Sequence, residues 1–91
     1  NLQAFRDKCA EEDIIGVLVE GGSQFLSTCI NSRNLDYLFA YRAPKILGDS
    51  TALPVFQGRH PDTIDEAINL AKVQHASFGN DHLIRGFIHH P

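Results

Sequence analysis

The chain predicts an α/β fold, and three features of its 91 residues carry that prediction. A continuous aliphatic run, Ile14-Ile15-Gly16-Val17-Leu18-Val19, has the pattern of a strand covered on both faces. Segments with apolar residues at helical spacing flank it, Leu2, Phe5 and Cys9 before it and Phe25, Leu26, Cys29 and Ile30 after it. Two long extended stretches separated by Gly79-Asn80-Asp81 then close the chain as an antiparallel hairpin.

Taken in order, Asn1 to about Glu12 is an amphipathic helix expected to pack on the sheet, with Arg6, Lys8, Glu11 and Glu12 on its polar side. The strand Ile14 to Val19 follows directly. Glu20 and Gly21-Gly22 lead into a second helix, Ser23 to Ile30, whose expected buried face is Phe25, Leu26, Cys29 and Ile30, and which polar Asn31-Ser32-Arg33-Asn34 stops. Leu35 to Ala43 is rich in aromatic and aliphatic residues and reads as a strand ended by Pro44, which has no N–H for a ladder. From Lys45 to Pro61 the residues Gly48, Pro54, Gly58 and Pro61 break the pattern, although Leu53, Val55 and Phe56 can cover part of the core. Thr63 to Ala67 is a short helical turn, and Asn69 to Phe78 pairs with His82 to His90. The alternation of the first of these strands is imperfect, since Ala71, Val73 and Ala76 do not share one parity.

Composition narrows the function. With 43% hydrophobic residues the chain supports one small domain with a modest core. A net charge of −3 without a basic stripe argues against nucleic acid as a partner. No apolar run approaches the ~20 residues that cross a bilayer, and Asn1 to Arg6 lack the apolar core of a signal peptide, so no membrane partner and a cytoplasmic location are expected. Cys9 and Cys29 occupy apolar helix positions and read as reduced and buried. The five histidines lack the paired spacing of a zinc site, so no metal is expected.

Chemistry concentrates at the Glu20 to Thr28 segment. Glycines after a strand let backbone approach a ligand without Cβ atoms, and the N–H groups opening the next helix attract an anion. In open α/β sheets ligands sit beyond the carboxyl ends of strands. A phosphate-bearing ligand at Gly21 to Gln24 is therefore one reading, a plain tight turn the other. Glu20 is either a ligand contact or a solvated carboxylate. Ser23, Ser27 and Thr28 lie in no Gly-x-Ser-x-Gly elbow, so capping and phosphate binding suit them better than nucleophilic attack.

The two motifs Val17-Leu18-Val19-Glu20-Gly21-Gly22-Ser23 and Ala43-Pro44-Lys45-Ile46-Leu47-Gly48-Asp49, in this order and spacing, closely resemble the C-terminal half of the reductase domain of bacterial riboflavin-biosynthesis deaminase/reductases. That resemblance implies a dihydrofolate-reductase-like mixed sheet with flanking helices, and it makes residues 1–91 the C-terminal part of such a domain, its active site completed by upstream segments. It also implies NADPH as cofactor and reduction of the ribosyl side chain of 5-amino-6-(5-phosphoribosylamino)uracil to the ribityl compound. Gly21, Gly22, Ser23, Gln24, Phe25, Leu26, Ser27 and Thr28 match the family's cofactor-binding turn and helix start, and Glu20 matches the position that contacts substrate. Tyr37, where the family has an acidic residue, and Arg42, where it has an apolar one, depart from the pattern and bear on a subunit contact. A homodimer through the terminal hairpin is expected from the apolar groups of Ile84, Phe87 and Ile88 on both of its faces. The alternatives are a pterin or folate-type reductase using the same turn, and a non-catalytic α/β dimerisation module.

Overall fold

The computed structural model describes residues 1–14, 16–52 and 54–91. The fold is α/β, with two α-helices and a three-stranded antiparallel sheet, consistent with part of a dihydrofolate-reductase-like domain. The chain divides into two units, one of Asn1–Asn34 with Leu53–Arg59 and one of Leu35–Ala52 with His60–Pro91.

In the first unit, helix α1 (Leu2–Glu11) starts where the Asn1 side chain accepts the Ala4 N–H at 2.7 Å, which satisfies one of the orphan donors of the first turn. Its stop is a Schellman motif. Asp13 takes a left-handed φ of 57°, its N–H bonds Ala10 O at 3.2 Å, and the Ile14 N–H reaches back to Cys9 O at 2.9 Å. Helix α2 (Ser23–Asn31) ends in the same way, with Arg33 at φ 60°, its N–H on Ile30 O at 3.1 Å and the Asn34 N–H on Cys29 O at 2.9 Å. Arg6 of α1 donates to Asn34 Oδ1 at 3.2 Å, which ties the first helix to the end of the second. No residue of α1 is buried, and Leu2 and Cys9 are half-buried while Phe5 of the expected apolar stripe is exposed.

The buried residues of α2 are Ser27, Cys29 and Ile30, a face rotated from the expected one, with Phe25 exposed and Leu26 half-buried. The cause is polar: the Gln57 N–H donates to Ser27 Oγ at 2.7 Å and Asn31 Nδ2 donates to Gln57 O at 3.1 Å, which seats Gln57 against that side of the helix. Of the residues expected to cover core there, Val55 is exposed, Phe56 is half-buried, and Leu53 lies outside the described residues.

The expected strand Ile14 to Val19 is not one. Ile14 and Gly16 to Val19 enter no ladder, Val17 and Leu18 are 52% and 75% exposed, and Ile15 lies outside the described residues. An aliphatic run records what side chains require, whereas a strand also needs a backbone partner, and among the described residues none pairs with this one.

In the second unit, β1 (Tyr37–Arg42), β2 (Asn69–Phe78) and β3 (Asp81–His89) form the sheet in the order β1-β3-β2. The 3₁₀ turn Ile64–Glu66 precedes β2 where a helical turn is expected. The hairpin loop is Gly79-Asn80, one residue shorter than the sequence indicates, because Phe78 already pairs with Asp81. Gly79 supplies the positive φ of 59° at the first loop position, the pattern of a type II′ turn.

Register explains the broken alternation of β2. Ala71 faces Phe87 and Gln74 faces Arg85, so Lys72 and Val73 together oppose the single residue Gly86. This is a β-bulge, with Lys72 in the left-handed region at φ 51°. It carries Ala71 and Ala76 onto the same face despite their different parity. Gly86 is buried opposite the bulge, where a Cβ would come within 3.0 Å of both Ala71 O and Leu70 Cβ. On the face shared by Tyr37, Tyr41, Leu83, Phe87 and Phe78, Tyr37 meets Phe87 edge-on at 4.8 Å and the Tyr41 and Phe78 rings lie 6.3 Å apart. Leu83, with Tyr41 and Ala76 opposite it, is only 5% exposed.

Two outcomes are expected. Gly86→Ala drives a methyl against the bulge backbone and should destabilise the chain by about 1–3 kcal/mol, read as a lower midpoint in urea unfolding. Asp49 Oδ1 accepts the Thr51 hydroxyl at 2.7 Å and its N–H at 2.9 Å, which holds the carboxyl below the usual aspartate range. Because the folded value is depressed, this stabilisation is present above the unfolded carboxyl's pKa and is lost as pH falls through the folded value. Thr51→Val should shift the Asp49 titration, followed by NMR of its carboxyl carbon, upward toward free aspartate.

Candidate functional site

The Glu20 to Thr28 segment lies wholly in the first unit, as an extended approach turning into α2. Gly22 is the N-cap, with φ −78° and ψ 170° and no side-chain capping bond. The first carbonyl of the helix, Gly22 O, accepts the Leu26 N–H at 3.1 Å, so the N–H groups of Ser23, Gln24 and Phe25 precede the intrahelical ladder. Ser23 is the first helical residue rather than the cap, and its Oγ is buried without a hydrogen-bond partner. A buried hydroxyl of this kind costs about 1–3 kcal/mol when left unmade.

The two glycines at this entry are not demanded by the chain's own geometry. Neither takes a positive φ, a Cβ at Gly22 would meet nothing within 4 Å, and one at Gly21 would meet only the Phe25 ring at 3.4 Å. A tight turn therefore does not account for them. Open space over Gly22, uncapped amides and a partnerless hydroxyl converge on one place. Glu20, exposed, adjoins it.

Further along α2, Gln24, Ser27 and Thr28 line a shallow groove of about 670 Å³ with Asn31, Ser32, Gln57 and Gly58. The side chains lining the groove are polar in type, yet several of their groups are engaged locally: Thr28 Oγ1 donates to Gln24 O at 3.0 Å, Ser32 Oγ to Thr28 O at 2.6 Å, and Asn31 Nδ2 to Gln57 O at 3.1 Å. Of the residues matched to the cofactor turn, the helix entry gathers Gly21, Gly22, Ser23, Gln24 and the backbone N–H of Phe25, the groove gathers Gln24, Ser27 and Thr28, and Leu26 lines neither. Asn31 extends the stripe of Gln24, Ser27 and Thr28 at helical spacing, a legible signal, whereas Gln57-Gly58 join from 26 residues away and give no local one. Among the described residues no group of three or more His, Cys, Asp or Glu is placed to hold a metal, and no helix is long and apolar enough to cross a membrane.

Residues 3–84 match the family of the RibD C-terminal domain. A maize (Zea mays) protein, "riboflavin biosynthesis protein PYRR, chloroplastic", is 28% identical over 88 residues, which is 97% of this chain and 14% of that protein. The chain thus spans about one seventh of the length of this curated relative. No solved structure matches it.

Ser27→Ala removes the acceptor for the Gln57 N–H in a part-buried position. The expected cost is about 1–3 kcal/mol, with faster amide exchange at Gln57, whereas Thr28→Ala, which removes only an exposed bond to its own helix, should cost well under that. Native-state hydrogen exchange separates the two.

Proposed function

Because the chain belongs to the RibD C-terminal domain family, we propose that it forms part of an NADPH-dependent reductase of riboflavin biosynthesis, acting on the ribosyl side chain of 5-amino-6-(5-phosphoribosylamino)uracil to give the ribityl compound. The observation that carries the proposal is the α2 entry, where a buried Ser23 hydroxyl lacks a partner beside two glycines that neither φ nor internal packing requires. These features fit a phosphate of the cofactor. A helix N-terminus carries roughly half a positive charge, and a phosphate oxygen there accepts from several amides at once.

In this reading the amides of Ser23, Gln24 and Phe25 and the Ser23 hydroxyl hold phosphate, Gly21 and Gly22 admit it, and the polar stripe of Gln24, Ser27 and Thr28 continues along the bound cofactor. Phe25 and Leu26 give apolar surface beside it. When bound, NADPH supplies hydride to the sugar carbon. The chain's own contribution is to orient both molecules, and Glu20 accepts hydrogen bonds from ribosyl hydroxyls or assists the proton that follows opening of the sugar ring.

The proposal extends to a homodimer and to a reducing, cytoplasmic setting. Phe39, Tyr41, Phe78 and Phe87 are each between 46% and 67% exposed on one sheet face, an apolar area that suits burial against a second copy. Cys9 and Cys29 are both free thiols, which suits a reducing compartment.

In the protein that carries this chain, Gly22→Val should raise the NADPH dissociation constant at least ~10-fold, about 1.4 kcal/mol, while leaving the helix content unchanged. Glu20→Gln should lower turnover or substrate affinity with NADPH affinity preserved. An NADPH affinity untouched by Gly22→Val, or an unmodified protein that NADPH does not stabilise thermally, overturns the reading in favour of a non-catalytic module.

A further inference from the structure

The hairpin brings together two histidines that the sequence keeps seven residues apart. Ser77 faces His82 and His75 faces Ile84, so His75 and His82 are diagonal neighbours on one face of the β2–β3 pair, next to its tight Gly79-Asn80 turn. Their ring centroids lie 5.3 Å apart, and His75 Nδ1 sits 3.1 Å from His82 Nε2. Both side chains are exposed.

We propose that this pair is a two-imidazole chelate for a late divalent transition-metal ion, copper(II) most tightly. Metal–imidazole bonds of about 2.0–2.1 Å at a near-right angle put two donor nitrogens about 3 Å apart, the separation already present. Imidazole is the donor that copper(II), nickel(II) and zinc(II) share, and copper stands highest in that series. In the metal-free pair one ring donates a proton to the other. On binding, the donor ring gives up that N–H proton to solvent and takes a proton on its remote nitrogen, so one N–H bond breaks and one forms; both lone pairs then turn to the metal, which releases two of its bound waters.

The surroundings set the strength and type of site. Among the described residues no third His, Cys, Asp or Glu joins the pair, so water completes the coordination and the site is open. Arg42 faces His82 in the β1–β3 register, on the same face, and its charge opposes a cation. Strand pairing fixes the two backbone positions, so only the side-chain torsions of His75 and His82 remain to be ordered on binding.

Titration of the purified protein with copper(II) alone tests the site. One site is expected, which His75→Ala and His82→Ala each weaken by more than about tenfold, while His60→Ala and the double change His89→Ala with His90→Ala leave it intact. Electron paramagnetic resonance of the copper-loaded protein should show two nitrogen donors, reduced to one in either single variant. Arg42→Gln should tighten binding a few-fold at low salt, a gain that a disturbed hairpin does not produce. Copper affinity unchanged in both His75→Ala and His82→Ala, or spread evenly over all five histidines, overturns the proposal.

Discussion

Among the described residues, strand β3 is the only one of the three that is hydrogen-bonded on both sides, and the second unit is organised around that fact. A backbone flanked by two partners has its N–H and C=O groups satisfied internally, so β1 and β2 can each keep an open edge. Residues of β3 are correspondingly the buried ones, Leu83 beneath its cross-strand neighbours and Gly86 against the bulge. The same double pairing fixes which side chains become neighbours. Tyr37 meets Phe87 and His75 meets His82 because the ladder puts them there.

The second unit was legible from sequence because its signals are local. Glycine followed by Asn-Asp between two extended stretches marks a hairpin, Pro44 stops β1, and Thr63 to Ala67 is too short for more than a turn. What misled was parity: Ala71, Val73 and Ala76 looked like an imperfect strand, when the strand is regular on either side of one extra residue. Nothing in the identity of Lys72 announces a left-handed residue, a conformation in which glycine is the common choice. The two helix ends fall within a residue of where the sequence puts them, but how they stop was hidden for the same reason, since Asp13 and Arg33 hold left-handed positions that sequence rules assign to glycine or asparagine.

The Ile14 to Val19 segment failed differently. Its aliphatic character is a demand for burial, and burial depends on what lies beside the segment rather than on the segment. At the α2 entry the reverse holds: the residues matched by motif are in place, and the geometry adds what a motif does not contain, a buried hydroxyl without a partner and glycines whose small size the chain itself does not use. The groove partners Gln57 and Gly58 were beyond local reading because they arrive through long-range hydrogen bonds of Gln57 to Ser27 and Asn31.

The bulge in β2 also bears on how the family's sequences can vary in length. Residues on the turn side of Lys72-Val73 and those on the far side obey opposite parities, so this strand has two independent frames joined at one point. A relative that lacks one residue here, with the outer residues free to re-pair, restores a single frame, removes the crowding that keeps position 86 a glycine, and needs no other change to keep the hairpin tip. A residue lost anywhere else along the strand turns a whole run of side chains to the wrong face. Length differences among homologues should therefore collect at this one position, and they should travel together with a side chain larger than glycine opposite it.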